Sequence, residues 1–169
     1  MSTSSDEQGG AGGEALFRSR GEEETRTLGR ALGARLEPGS VVALVGPLGA
    51  GKTRFVRGLA EGFGVADLDA VRSPTYVLHH VYRAPRGFLH HVDAYRLSGE
   101  AEFEALDVLG VMAPGDCLAV EWAEKIAGAL PRDTIWIEIA LPDDSPGEPG
   151  QREIRTPARG AAATAWAAP

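Results

Sequence analysis

Apolar residues occur along this chain both as short continuous runs and as repeats with helical spacing. The runs 41–45 and 117–120 are typical of strands that are buried on both faces of a sheet. Phe55, Leu59 and Phe63 recur at intervals of four residues, which predicts an amphipathic helix soon after the first run. The pattern therefore predicts a buried strand, a connecting loop and a helix over residues 41–63.

Further elements are predicted on both sides of this unit. Leucines at four-residue spacing predict a helix over 20–36, which Pro38 and Gly39 end. The strand-like runs 76–83 and 88–93 are separated by a Pro-Arg-Gly turn and predict an antiparallel hairpin. The later part of the chain predicts helices over 100–109 and 123–130, and strands over 117–120, 134–140 and 152–156.

Length and composition indicate one domain, because the chain has 169 residues of which 43% are hydrophobic. Its Gly/Ser/acidic start over 1–18 and its Ala-rich end over 157–169 predict disordered tails around a domain over 19–156. The polar N-terminus, and the lack of an apolar run of about 20 residues, predict a cytoplasmic protein without a membrane segment. The net charge of −7 argues against a free-standing nucleic-acid binder but leaves RNA contact through a partner open.

The loop between the predicted strand and helix matches the phosphate-binding pattern G-x-x-x-x-G-K-[ST]. In such a loop, backbone N–H groups and glycines cradle the phosphates, the lysine adds a positive charge, and the Ser/Thr hydroxyl ligates Mg²⁺. Lys52 and Lys125 are the only lysines among 17 basic residues, so Lys52 is not one of many surface lysines. The sequence therefore predicts a nucleoside triphosphate site made by Gly46, Pro47, Leu48, Gly49, Ala50, Gly51, Lys52 and Thr53.

Such a site also needs an acid at the end of a neighbouring strand to help hold Mg²⁺. Asp93 and Glu121 each end a predicted strand. Glu121 follows a continuous apolar run, whereas two histidines interrupt the run before Asp93. We therefore favour Glu121 as the Mg²⁺ ligand, direct or through water, and Asp93 as the group that orients the attacking water or the metal's waters. The alternative for each is an ordinary solvated acid.

Several questions stay open at this stage. The chain contains no asparagine, which excludes guanine recognition by [NT]-K-x-D and makes ATP the default nucleotide. A symmetric hairpin would set His80 opposite His91, a pattern that could hold zinc but that more often means stacked imidazoles. Trp122 could pack in the core or cover a surface beside the site.

These residues together resemble one family, the bacterial TsaE (YjeE) ATPases, which support threonylcarbamoyladenosine formation on tRNA. The resemblance spans roughly residues 19–156. The matching segments, in order, are Thr25 with Leu28-Gly29, 48–58, Ser73-Pro74-Thr75-Tyr76, His91-Val92-Asp93-Ala94-Tyr95-Arg96-Leu97, Val120-Glu121-Trp122 and Leu130-Pro131.

The resemblance implies an α/β single-domain P-loop NTPase fold, with a mixed central sheet flanked by helices and an antiparallel hairpin after the P-loop helix. It implies an ATPase needed by the TsaB–TsaD pair, with tRNA met indirectly through that complex and with no threonylcarbamoyl transfer of its own. By the same resemblance, Lys52 contacts phosphates and Thr53 and Glu121 hold Mg²⁺. Thr75 corresponds to a switch-like position near the γ-phosphate, and Asp93 to an acid required for function.

The resemblance also leaves expectations that are less directly tied to the phosphates. Glu22 and Arg152 are candidates for the adenine side. Pro47 departs from the acid that the family usually has after the first P-loop glycine. No arginine finger is evident within the chain, so we expect slow hydrolysis alone and stimulation by the partner pair. The alternative functions are a small-molecule kinase, with 73–76 lining an acceptor pocket, and a nucleotide-gated binding module.

Overall fold

Seven strands form one mixed sheet in the structure, a computed structural model that describes residues 15–142 and 150–156. The strands are β1 (Ala15–Ser19), β2 (Val41–Val45), β3 (His79–Ala84), β4 (Gly87–Asp93), β5 (Cys117–Glu121), β6 (Ile135–Ala140) and β7 (Arg152–Thr156). The helices are α1 (Glu22–Gly33), α2 (Lys52–Phe63), α3 (Glu100–Ala105), α4 (Val108–Val111) and a 3₁₀ helix over Ala123–Ala129.

The strand order is β1-β7-β6-β2-β5-β4-β3. The four strands β6, β2, β5 and β4 run parallel, so their carboxyl ends share one edge of the sheet. The outer strands pair antiparallel, and β3 forms the predicted hairpin with β4. This arrangement confirms the predicted mixed sheet, and its register pairs Asp93 with Glu121 at the shared edge. The two predicted acids are therefore neighbours across strands.

Both faces of the sheet are covered. Packing of α1 and α2 on one face positions α2, the helix that follows the P-loop. The repeat Phe55, Leu59 and Phe63 is buried against the sheet, as the spacing predicts. The two helices approach closely through glycines: a Cβ atom on Gly29 would lie 2.2 Å from the carbonyl oxygen of Phe55. The start of α2 is therefore held at the carboxyl edge of the sheet by packing along its length.

Strand β1 corrects the prediction of a disordered tail over 1–18, because residues 15–19 pair with β7 from the other end of the chain. The segment is too short for its own pattern to reveal a strand, and its partner lies far away in sequence. Residues 1–14, 143–149 and 157–169 lie outside the described residues, so the remaining tail and domain boundaries stay predictions.

Other differences concern element ends. The helix predicted over 20–36 occupies Glu22–Gly33, and the strand predicted from residue 76 begins at His79. The helix predicted over 100–109 divides into α3 and α4, because Asp107 adopts a left-handed conformation with φ of 50°. Across residues 15–142 and 150–156, none of the helices has the length and apolarity to span a bilayer.

Candidate functional site

The P-loop follows β2 and leads directly into α2. Gly46, Gly49 and Gly51 have positive φ angles of 151°, 78° and 107°, a region in which residues with a Cβ are strained. At Gly46, an added Cβ would also lie 2.2 Å from the carbonyl oxygen of Ile139. Because α2 begins at Lys52, its free N–H groups and partial positive charge face the loop. The backbone is therefore shaped to accept phosphate oxygens.

Lys52 lies inside this loop and is only 4% exposed. Its Nζ donates hydrogen bonds to the carbonyl oxygens of Gly46 and Pro47, at 2.5 and 2.9 Å. The ring of Trp122 covers the same ammonium group, with 3.7 Å between Nζ and the ring centroid. Burial lowers the Lys52 pKa from its ordinary value, and the surrounding carboxylates oppose this shift only in part. Trp122 thus lies beside the site and also packs, partly buried, against the core, so both of the alternatives that the sequence left open hold.

Thr53 and Glu121 meet across the cleft although 68 positions separate them in sequence. The Thr53 hydroxyl donates to both carboxylate oxygens of Glu121, at 2.9 and 3.0 Å. His91 Nε2 lies 2.9 Å from Oε1 of the same carboxylate. Glu121 is 3% exposed, so it is not an ordinary solvated acid. A hydroxyl and a carboxylate beside a P-loop are oxygen donors of the kind that Mg²⁺ binds, so these residues fit that ion.

Asp93 holds the segment that contains Thr75. The hydroxyls of Ser73 and Thr75 donate to its Oδ2, at 2.5 and 2.6 Å. The backbone N–H of Tyr95 donates to its Oδ1 at 2.9 Å. Asp93 is 2% exposed, so it too differs from a solvated acid at a strand end. Thr75 and Asp93 are therefore in direct contact, on the side of the cleft opposite the P-loop.

The segment 73–78, which we call the second loop, is a compact turn where part of a strand was predicted. The carbonyl oxygen of Pro74 accepts hydrogen bonds from the N–H groups of Val77 and Leu78, at 3.0 and 2.6 Å. Leu78 has a φ of 66°, which turns the chain into β3. Tyr76 is 88% exposed and Val77 is 60% exposed. The strand prediction was wrong here because an apolar run at the protein surface has the same local pattern as a strand.

A cleft of about 500 Å³ joins the P-loop to the second loop. Its lining residues are Glu22, Leu48, Gly49, Gly51, Lys52, Thr53, Arg54, Ser73, Thr75, Asp93, Tyr95, Glu121 and Trp122. The structure thus brings together Lys52, Thr53, Glu121, Asp93 and Thr75 with part of the P-loop, whereas Gly46, Pro47 and Ala50 do not line the cleft. Within this cleft, Glu22 forms an ion pair with Arg54, with 2.9 Å between Oε2 and Nη2.

Arg152 does not line the cleft; it supports the P-loop from outside. Its Nε donates to the carbonyl oxygen of Ala50 at 2.9 Å, and its Nη2 lies 3.3 Å from that of Gly49. The adenine role suggested for Arg152 and Glu22 stays a prediction. The geometry shows that Arg152 links β7 to the backbone of the P-loop.

The histidines behave differently from one another. The register places His80 opposite His91, as a symmetric hairpin predicts, but the stacked rings are those of His79 and His90, with centroids 5.1 Å apart. Among the described residues, no group of three or more His, Cys, Asp or Glu side chains is arranged to hold a metal ion, so the zinc pattern is not seen there. Sequence reasoning missed the contact of His91 with Glu121. The available signal was alternation, since His91 lies two positions before Asp93 and therefore on the same face of β4.

Comparisons with known proteins identify a family and a fold. A family model described as "Threonylcarbamoyl adenosine biosynthesis protein TsaE" matches residues 19–154. A relative from Treponema pallidum, named "tRNA threonylcarbamoyladenosine biosynthesis protein TsaE", is 40% identical over 137 residues, which are 80% of this chain and 95% of the relative. A relative of the same name from Streptomyces coelicolor is 45% identical over 117 residues, 68% of this chain and 77% of the relative.

The fold is also that of a solved protein. A crystal structure of YdiB from Bacillus subtilis matches with a TM-score of 0.65 and 31% sequence identity. The match covers 91% of this chain and 91% of the YdiB chain. The similarity therefore extends over most of both chains.

Proposed function

The chain belongs to the TsaE family of threonylcarbamoyl adenosine biosynthesis proteins, and on this premise we propose that it is a Mg²⁺-dependent ATPase acting on the TsaB–TsaD pair. In this role it supports formation of threonylcarbamoyladenosine on tRNA in the cytoplasm, and it meets the tRNA through that complex. One observation carries the proposal: Lys52 and Thr53 of the P-loop face Glu121 and Asp93 across one cleft.

The binding step follows from the P-loop wall. The positive φ angles of its glycines turn backbone N–H groups toward the triphosphate, and the N-terminus of α2 adds positive charge. Lys52 exchanges its bonds to the loop carbonyls for phosphate oxygens, which neutralises charge that builds up during transfer. Thr53 and Glu121 are the residues that would hold Mg²⁺, which would supply neutralisation of the phosphate charge.

The hydrolytic step uses the opposite wall. Asp93 is an acceptor that aligns the attacking water, and Thr75 places the second loop near the terminal phosphate. Arg54 and Arg57 are engaged by Glu22 and Asp69, and Arg96 lies over the ring of Tyr76. Because each of these three arginines already has a partner, and Arg54 lines the cleft only while paired with Glu22, we propose that hydrolysis is slow alone. A partner-supplied positive charge would raise the rate by about 10³–10⁵-fold.

The test combines binding with turnover. Calorimetry with ATP and GTP, with and without Mg²⁺, measures nucleotide choice and metal dependence. ADP release is then measured alone and with TsaB, TsaD and tRNA, using Lys52→Ala as the binding-defective control. We expect Mg²⁺-dependent ATP binding and hydrolysis that the partner pair stimulates. Release of ADP only with an added acceptor alcohol would indicate a kinase, and full support of modification by a hydrolysis-dead Asp93→Ala that still binds ATP would indicate a nucleotide-gated binding module.

A further inference from the structure

The carboxylate of Glu121 has a second protein partner besides Thr53. His91 is completely buried, and its Nε2 lies 2.9 Å from Glu121 Oε1. An ionised carboxylate can only accept hydrogen bonds, so the imidazole must carry its proton on Nε2 to make this bond. The bond fixes which way Oε1 points, while Thr53 contacts both oxygens from the P-loop side.

The other side of the His91 ring faces Tyr82. Its Nδ1 lies 3.5 Å from the hydroxyl oxygen of Tyr82, and the two ring centroids are 6.1 Å apart. The Tyr82 hydroxyl donates in turn to the carbonyl oxygen of Arg72, the residue that precedes the second loop, at 3.3 Å. A buried line of contacts therefore runs from Glu121 through His91 and Tyr82 to the backbone beside the second loop.

The neighbouring residue, His90, is also a histidine but has a different environment. His90 is also buried, yet it points to the opposite face of β4 because strand side chains alternate. Its Nε2 lies 3.3 Å from Asp116 Oδ2, and its Nδ1 lies 2.9 Å from His79 Nε2. Neither Asp116 nor His79 lines the cleft. Of the two adjacent histidines, His91 therefore contacts a residue of the site, whereas His90 has a structural role.

We propose that His91 is a positioning residue that orients the Glu121 carboxylate for Mg²⁺ by donating its Nε2–H to Oε1. The inference rests on the proposed function, since it concerns the ion that an ATPase of this kind needs. The contact with Oε1 is direct, and Oε2, which His91 does not touch, is contacted by Thr53. Partners of a metal-ligating carboxylate change metal affinity by about 10–100-fold when they are removed.

The experiment measures nucleotide affinity by calorimetry as a function of Mg²⁺ concentration, and again with the metal chelated. His91→Leu removes the donor, and His91→Gln keeps an N–H group near the position of Nε2. His91→Asn replaces the leucine variant if that variant does not fold, because its amide is one methylene too short. The matched control is His90→Leu on the opposite face. Thermal melting establishes that each variant is folded.

We expect His91→Leu to raise by about 10–100-fold the Mg²⁺ concentration at which half of the metal-dependent gain in nucleotide affinity is reached. The nucleotide affinity measured with the metal chelated should be unchanged. His91→Gln should recover most of that loss, and His90→Leu should lower the melting temperature without moving the metal requirement. A folded His91→Leu protein with wild-type metal dependence overturns the inference alone. An equal shift in His90→Leu also overturns it, because the effect would then be a general loss of packing. A wild-type protein that binds no nucleotide overturns the proposed function, and this inference with it.

Discussion

The two loops that face each other across the cleft are held in different ways. The P-loop is held at several points: three glycines have positive φ angles, Ala50 is fully buried, and Lys52 and Arg152 bond its carbonyl oxygens. The second loop is a backbone turn at Pro74 whose side chains are anchored at one point, where the hydroxyls of Ser73 and Thr75 meet at the single carboxylate of Asp93.

This difference separates a fixed wall from an adjustable one. Backbone that is shaped by packing and by glycine conformation cannot change without disturbing its surroundings. A turn whose side-chain bonds meet at one carboxylate, and that exposes Tyr76 and Val77, can open at a smaller free-energy cost. The first wall is therefore suited to binding phosphates, and the second to responding to what is bound.

The largest expected effect comes from breaking the fixed wall at Gly46. In Gly46→Ala the new Cβ would lie 2.2 Å from the Ile139 carbonyl oxygen, at a φ of 151°. We expect a loss of unfolding free energy of about 1–3 kcal/mol from the strained backbone and abolished nucleotide binding, measured by thermal melting and calorimetry. Gly99→Ala is the control, because a Cβ there meets no atom within 4 Å. Wild-type nucleotide affinity in Gly46→Ala would contradict the fixed geometry assigned to this loop.

The next largest effect is expected when the second loop loses its contact with Asp93. Asp93→Ala removes the acceptor for Ser73 and Thr75, each bond contributing about 1.5–3 kcal/mol because the acceptor is charged. We expect faster amide exchange over 73–78, unchanged exchange over 46–53, and loss of hydrolysis with nucleotide binding retained. Asp69→Ala, at an exposed partner of Arg57, is the control for loss of an acid. Equal acceleration of exchange over 46–53 and 73–78 would show that the two loops open as one unit. That result would contradict the distinction between a fixed wall and an adjustable one.

Acidification should weaken the second loop before it weakens the P-loop. Burial, aided by the neighbouring histidines, lowers the pKa of His79 below its ordinary value of 6.5. The unfolded chain then binds the proton more readily, so the stabilisation is present above pH 6.5 and is lost as the pH falls through the lowered folded value. Because the His79 N–H bonds the carbonyl oxygen of Val77, the protection of amides over 73–78, corrected for the intrinsic pH dependence of exchange, should fall on going from pH 7.5 to pH 5.5. His79→Gln should reduce this pH dependence; an unaltered dependence would assign it to other groups.

The smallest effect is expected at the exposed tip of the second loop. Tyr76 is 88% exposed, so Tyr76→Ala should change the unfolding free energy by no more than about 0.5 kcal/mol. Nucleotide affinity of the isolated chain should also stay unchanged, as measured by the same calorimetry. A large loss of unfolding free energy or of nucleotide affinity would show that Tyr76 contributes to the second loop's structure or to binding.

The parts predicted correctly from sequence are those whose signal lies within a few neighbouring residues. The P-loop pattern, the buried repeat that starts at Phe55 and the register that sets His80 opposite His91 all depend on local spacing. The correspondence of the Ser-Pro-Thr-Tyr and His-x-Asp segments with one family also follows from order along the chain. The structure confirms the fold and the register, whereas the catalytic roles remain proposals.

The misses share a different cause. The β1–β7 pairing, the support of the P-loop by Arg152 and the bond between His91 and Glu121 join residues that lie on different strands. Periodicity states which face a side chain occupies, but not which strand will lie beside it.

By itself, then, the sequence determined that this chain carries a phosphate loop between a buried strand and a helix, because glycine conformation and hydrophobic spacing act over short distances. Only the tertiary structure decided that Glu121 meets Thr53 and His91 while Asp93 meets Ser73 and Thr75. Parallel packing of β2, β5 and β4 brings these side chains to one edge, and strand order is a property of the whole core.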